Sequence, residues 1–213
     1  LNLGQVDRAL TAVNQAIDLN PDSFEAYQVR GRINQEGLGN LAAALNDYRE
    51  AYAIAPNMLY VAIWVARMER SQQNFDVALE IYQDIIDENP GNTPVLFEIG
   101  DYNFRVEGNY SQAASYFSRC VQSNPNNAAC HYMLGRSQMS LAQPQDALAS
   151  FETAMELNPG GEGGYYHYWL AQANISLSGC AQAEFYMQTG YQLALERNDQ
   201  VLITSFESTL EQC

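Results

Sequence analysis

The sequence contains no lysine. Its ten basic residues are all arginine, set against 25 Asp and Glu, and the formal charge is −15. A surface this poor in positive charge excludes a nucleic-acid binder, because phosphate contacts need a basic face. It equally excludes adsorption to anionic lipid. Long apolar runs are also missing. The longest, Leu59 to Ala66, falls far short of the roughly 20 residues that span a bilayer, so no membrane insertion is expected. No signal peptide is visible and the first residue is not Met, which reads as a processed product or an excised piece. There is no C-x2-C pair, and neither His131 nor His167 sits in a ligand cluster, so a zinc site is not expected. The dinucleotide fingerprint, Walker loop, H-E-x-x-H and G-x-S-x-G motifs are all absent. The Gly160–Gly164 stretch reads as an inter-repeat loop, and Cys130 and His131, neighbours on a helix, point apart. The expectation is a protein that is not an enzyme and needs no cofactor, with most carboxylates on a solvated face.

What is present is a core and a period. Apolar residues make up 47% of the chain, enough to fold despite the charge. Five prolines, Pro21, Pro56, Pro90, Pro125 and Pro159, are spaced 35, 34, 35 and 34 apart. Twelve residues before each stands an alanine: Ala9, Ala44, Ala78, Ala113 and Ala147. Four residues after each alanine stands a bulky side chain: Val13, Tyr48, Tyr82, Phe117 and Phe151. The spacing predicts a repeated helical hairpin. Its small residues let two helices approach, an aromatic fills the space beside them, and a proline ends the second helix. Short polar turns fall at Gly37–Asn40, Gln73–Asn74, Glu107–Asn109 and Ala142–Pro144, and Thr93-Pro94 reads as a helix start capped by a hydroxyl.

With this period and its A-x3-F…P half-signature, the chain resembles the tetratricopeptide repeat (TPR) family. The family's L-G pair survives as Ile99-Gly100 and Leu134-Gly135, and is altered at Arg30-Gly31, Val65-Ala66 and Leu170-Ala171. Tyr27 meets the family's first-helix aromatic, while Ala62, Leu96 and His131 replace it elsewhere. The resemblance covers essentially the whole chain. It implies an all-α fold, a right-handed α-solenoid, and a general role as an interaction scaffold.

The expected frame is a single solenoid over 1–213. It comprises the second helix of a split repeat at 1–21, full repeats at about 22–56, 57–90, 91–125, 126–159 and 160–198, and a terminal helix at 199–213. The last repeat is irregular: Gly179 makes its turn, and Ala183 with Met187 restores the phase. Leu3-Gly4-Gln5 reads as an inter-helix turn and Val6 to Leu19 as a second helix. At the other end Leu202, Phe206, Leu210 and Cys213 share one helical face. Two readings follow. The chain is a fragment of a longer array with its terminal helix as cap, or a subunit of an extracellular filament assembling head to tail. In the second, Val6, Ala9 and Val13 of one copy would meet Leu202, Phe206 and Leu210 of the next.

Cys120 lies near the end of one second helix and Cys130 near the start of the next first helix. Cys180 and Cys213 sit at matching heights on adjacent antiparallel helices. Disulfides Cys120–Cys130 and Cys180–Cys213 are geometrically reasonable, worth roughly 3 and 4 kcal/mol by loop entropy. The competing reading is four reduced cysteines packed as small hydrophobes. Absent lysine and 18 Asn with 18 Gln fit an extracytoplasmic or extracellular setting, the cytoplasm being the alternative. Asn109-Tyr110-Ser111 and Asn174-Ile175-Ser176 are glycosylation sequons.

The resemblance places the first helices along a concave groove. Helical spacing puts Arg32, Tyr60, Arg67, Arg70, Phe97, Phe104, Arg105, Tyr132, Arg136 and Tyr168 on that face, including half of the arginines. The functional reading is a groove for a protein or peptide partner, with arginines taking carboxylates and aromatics supplying area. The alternatives are arginines paired to neighbouring carboxylates beside core aromatics, or sugar stacking on the tyrosines. The Asn and Lys pattern of the family's carboxylate clamp is not matched.

Overall fold

A computed structural model describes residues 3–55, 58–159 and 164–213. Pro56 and the glycine-rich 160–163 therefore lie outside the described residues. The helices α1 (Leu3–Leu19), α2 (Phe24–Arg32), α3 (Leu41–Ile54), α4 (Leu59–Ser71) and α5 (Phe75–Glu88) form one compact unit spanning residues 1–90. A second unit, 91–213, holds α6 (Thr93–Arg105), α7 (Tyr110–Ser123), α8 (Ala128–Ser140), α9 (Pro144–Leu157), α10 (Tyr165–Ser178), α11 (Cys180–Glu196) and α12 (Gln200–Gln212). No strand occurs among the described residues. Within each unit every helix packs on its sequence neighbours.

The hairpins close as the small-residue pattern requires. Ala44, Ala113, Ala147 and Ala183 are fully buried and Ala78 nearly so, with Tyr48, Tyr82, Phe117 and Phe151 beside them in the core. The first-helix glycines face those aromatics. A Cβ at Gly100 would stand 2.8 Å from the Phe117 ring, and one at Gly135 would stand 2.7 Å from Phe151. Hydrogen there is what lets the two helices approach. Asn89, Asn124 and Asn158 leave the helical region at the helix ends before Pro90, Pro125 and Pro159, with φ of −135° to −143°, because a following proline disfavours the α conformation.

The two 35-residue spacings have a local cause. From the small residue of the first helix to the alanine of the second is 13 residues for Gly31–Ala44 and Gly100–Ala113. It is 12 for Ala66–Ala78, Gly135–Ala147 and Ala171–Ala183. The extra residue is absorbed in two different ways. After α2 it widens the helix into a π-helical segment, Ile33–Gly37. After α6 it lengthens the turn to four residues, 106–109. In two of the shorter hairpins the turn closes by a backbone bond five residues back, Asn74 N to Glu69 O and Gln143 N to Gln138 O, while between α10 and α11 Gly179 N bonds Ile175 O four back. In the longer two the bond reaches six back, Asn40 N to Asn34 O and Asn109 N to Asn103 O.

Several local expectations are corrected. Leu3-Gly4-Gln5 is helical, part of α1, because a lone glycine weakens a helix without ending it. Gly37 and Leu38 continue the helix through the π segment, leaving Gly39-Asn40 as the turn. The cap of α6 is Asn92, whose side chain accepts from Val95 N at 3.1 Å; Thr93 is already inside the helix. Asn40, Asn109 and Asn127 cap α3, α7 and α8 in the same way. Part of the amide richness is therefore capping chemistry rather than a surface signature.

The carboxylates are not all on a solvated face. Buried Asp47 takes Arg30 Nη2 at 2.7 Å and Asn34 Nδ2 at 2.8 Å. Buried Glu69 takes Arg49 Nη2 at 2.7 Å and Asn74 Nδ2 at 2.9 Å. Burial of a carboxylate is tolerated because each is paired and hydrogen-bonded.

Candidate functional site

In residues 91–213 three successive first helices, α6, α8 and α10, bring together Phe104, Tyr132, Arg136 and Trp169. Arg136 follows Tyr132 by one helical turn, so the two side chains share a face. Its Cζ lies 4.8 Å from the Phe104 ring centroid, 5.3 Å from Trp169 and 5.9 Å from Tyr132. The Nε of Arg136 is buried without a hydrogen-bond partner. Trp169 stacks on Phe151 at 6.1 Å and 23°. Tyr168 meets Trp169 and Phe206 edge-on, both at 5.4 Å. Phe97 leans on Phe117 at 5.6 Å and so finishes the core. Tyr132 is itself buried, and Arg105 forms an ion pair with Asp101 one turn earlier.

In residues 1–90 the face is more open. Arg32 is exposed and lines a cavity of about 260 Å³ with Gln28, Val29, Glu36, Tyr48 and Trp64. Trp64 stacks on Tyr48 at 5.6 Å and 14°. Burial pushes the Tyr48 phenol up to about 12, with Glu36 adding to the effect. Tyr60, 41% exposed, donates its hydroxyl hydrogen to Gln28 Oε1 at 3.2 Å. Arg67 and Arg70 are half-buried and already engaged within the protein.

The two tryptophans were not among the expected face residues. Each stacks on the second-helix aromatic of the preceding hairpin, beside an arginine of that hairpin's first helix. The signal in the sequence is their shared phase: Trp64 and Trp169 each precede the small residue of their helix, Ala66 or Ala171, by two positions.

Of the expected end-to-end set, Val6, Val13, Leu202 and Phe206 are buried within the chain. Val13 packs with Ile17 and Ala26, and Phe206 with Met187 and Leu202. Ala9 and Leu210 are exposed.

The cysteines stand pairwise at disulfide distance. Cys120 is beside Cys130 with Cα atoms 6.0 Å apart, and Cys180 beside Cys213 at 5.5 Å. The two sequons differ in setting. Asn109 is exposed at a turn, its side-chain oxygen capping α7. Asn174 lies inside α10, and its Nδ2, the atom a glycan would take, donates to Leu170 O at 2.9 Å. No cluster of residues able to hold a metal ion occurs among the described residues. No described helix is long and apolar enough to cross a membrane.

Family models of the tetratricopeptide repeat match residues 1–58, 34–93, 66–128 and 106–175. The chain is 29% identical over 126 residues to Tetratricopeptide repeat protein 6 of Homo sapiens, covering 58% of this chain and 23% of that protein. It is 24% identical over 154 residues to Tetratricopeptide repeat protein 37 of Xenopus laevis, covering 71% and 10%. With Protein O-mannosyl-transferase TMTC3 of Homo sapiens it shares 27% over 169 residues, 72% of this chain and 18% of that one. The chain thus spans less than a quarter of the length of each of these relatives. Among solved structures it is similar to pilF of Pseudomonas aeruginosa, with a TM-score of 0.79 at 15% identity over 97% of this chain and 90% of that one. A crystal structure of MamA matches with a TM-score of 0.70 at 15% identity over 84% and 96%. At these identities the likeness to both structures is one of fold, the all-α solenoid of helical hairpins. Repeat models that together run from residue 1 to 175, on a chain whose hairpins lock glycine and alanine against aromatics, make this protein a member of the tetratricopeptide repeat family.

Proposed function

We propose that the protein is a non-catalytic scaffold that binds a protein or peptide partner on its first-helix faces. The observation that carries this reading is the band formed by Phe104, Arg136 and Trp169, one side chain from each of three consecutive first helices. Stacked aromatics and an ordered arginine are the residue types that dominate binding energy at protein interfaces. The fold belongs to a class of interaction scaffolds, and TMTC3, a relative whose name states a transferase activity, is matched over only 18% of its length. The test is the double change Arg67→Glu, Arg136→Glu, read by co-purification of the native partner. Capture should fall at least tenfold, and capture that stays intact removes the face from the account.

Extracytoplasmic placement is part of the same proposal, supported by two cysteine pairs at disulfide distance. Mass spectrometry of the alkylated native protein, with and without reductant, decides it: four alkylated thiols before reduction would contradict it. A second reading, end-to-end assembly of copies, now rests on α1. Ala9 is exposed, while Ala44 and Ala147, at the same repeat position, are fully buried. Light scattering across a hundredfold range of concentration tests it, and a strictly monomeric protein would end it.

A further inference from the structure

The two cysteine pairs differ in what can reach them. Cys120 on α7 and Cys130 on α8 are fully buried. Cys213 is exposed and Cys180 half-buried. Thiol–disulfide exchange needs a thiolate to reach a sulfur atom, so accessibility separates a durable bond from a labile one. The accessible pair also spans more of the chain. Its residues are 33 apart in sequence, against 10 for Cys120 and Cys130. It ties the start of α11 to the end of α12, while the turn 197–199 joins the same two helices at their other ends.

What the bond holds down is α12. Its Leu202, Ile203 and Phe206 are buried in one cluster with Ala183, Met187 and Ala194 of α11. Phe206 meets the Tyr168 ring edge-on at 5.4 Å, and Thr209 Oγ1 accepts from Gln172 Nε2 at 2.9 Å. The helix therefore covers one flank of α10, including Tyr168, which itself touches Trp169 of the proposed face. A helix of 13 residues is marginal in water on its own, so a detached α12 has little to keep it folded.

We infer that Cys180–Cys213 is a redox-sensitive latch: a dithiol opens it while Cys120–Cys130 stays closed, and α12 then loosens from α10 and uncovers the Tyr168 flank. The inference rests on the bonded, extracytoplasmic state proposed above and adds a control on it. A thiolate of the dithiol attacks Cys213 Sγ, the more accessible sulfur. A mixed disulfide forms there, the Sγ–Sγ bond breaks, and Cys180 leaves as a thiolate and takes a proton. The second thiol gives up its proton and attacks the reductant's own sulfur in the mixed disulfide, releasing Cys213, which is protonated in turn. Two electrons pass to the protein, and the reductant ends as its own disulfide.

In the experiment the full chain is alkylated without reductant and then titrated with dithiothreitol, a small dithiol. Thiols freed at each step are trapped with an isotopically labelled alkylating reagent and assigned by mass spectrometry. Cys180 and Cys213 should be trapped at a dithiothreitol concentration at least tenfold below that for Cys120 and Cys130. At that concentration hydrogen exchange in α12 should quicken at least tenfold while α7 and α8 keep their protection, and higher concentrations then bring in α7 and α8. The double change Cys180→Ser, Cys213→Ser should show fast α12 exchange at every concentration. The wild-type titration decides the matter even if this variant does not fold. The latch is overturned, and the bonded state left standing, if both pairs open together, if Cys120–Cys130 opens first, or if α12 keeps its protection after Cys180–Cys213 has opened. Four thiols alkylated before any reductant overturn the bonded state, and the latch with it.

Discussion

Single residues at hairpin contacts set the tolerances of this fold. Gly135 faces Phe151 so closely that a methyl group there would stand 2.7 Å from the ring. Gly135→Ala should therefore cost about 1–3 kcal/mol, as overpacked cores do, read as a lower urea midpoint at constant slope. The turns give the opposite case. Ala142 occupies the left-handed region at φ 56°, where the equivalent turn residue after α6 is Gly108 at φ 63°. Ala142→Gly should stabilise by roughly 1 kcal/mol, since alanine is strained there and glycine is not. His167 adds a pH dependence: its imidazole is half-buried with Nδ1 unpartnered, and burial lowers its pKa. The unfolded chain then takes up the proton first, so stability falls as pH drops through about 6.5 toward the lower folded value. Urea midpoints of His167→Leu between pH 7 and pH 5 should decline less steeply than those of the wild type.

At the level of the element, the inserted residue is the telling feature. The π segment Ile33–Gly37 carries one residue more than the hairpins of α4/α5 and α8/α9 need. Deleting Glu36 should restore an ordinary α-helix and a turn closed five residues back. The expected change in stability is within about 1–2 kcal/mol by urea unfolding, because the buried contacts on either side keep their register. A deletion inside α3 would instead rotate Ala44 and Tyr48 out of the core and prevent folding. The Ala, aromatic and proline markers were legible because each imposes a steric condition visible in sequence. The π segment was not, since an insertion is seen only as a longer spacing and nothing in composition says where it is absorbed. In sequence Thr93 reads as a cap as readily as Asn92, because either side chain can cap, and only the backbone decides which one stands outside the helix. Asp47 and Glu69 do not stand out from the other carboxylates in sequence, because their partners, Arg30 and Arg49, lie 17 and 20 residues away, a separation no local pattern reveals.

For the whole molecule, stability in repeat proteins is close to a sum over neighbouring hairpins. Both cysteine pairs fall in residues 91–213. Reductant should therefore lower amide protection in α7–α8 and α10–α12 and leave α1–α5 unchanged, a pattern hydrogen exchange can read. The proposed face was legible in part. Arg32, Phe104 and Arg136 could be placed by period alone, but Trp64 and Trp169 emerged only when the hairpins were stacked, because their partners belong to the preceding repeat.

The central claim is that the first helices carry the binding surface. Photo-cross-linking to the native partner tests it most directly, with the reactive group placed in turn at Tyr60 and Arg105, both exposed on first helices, and at Phe185, which is 68% exposed on the second helix α11. The account predicts cross-links from Tyr60 and Arg105 and none from Phe185. Cross-linking from Phe185 alone would contradict it.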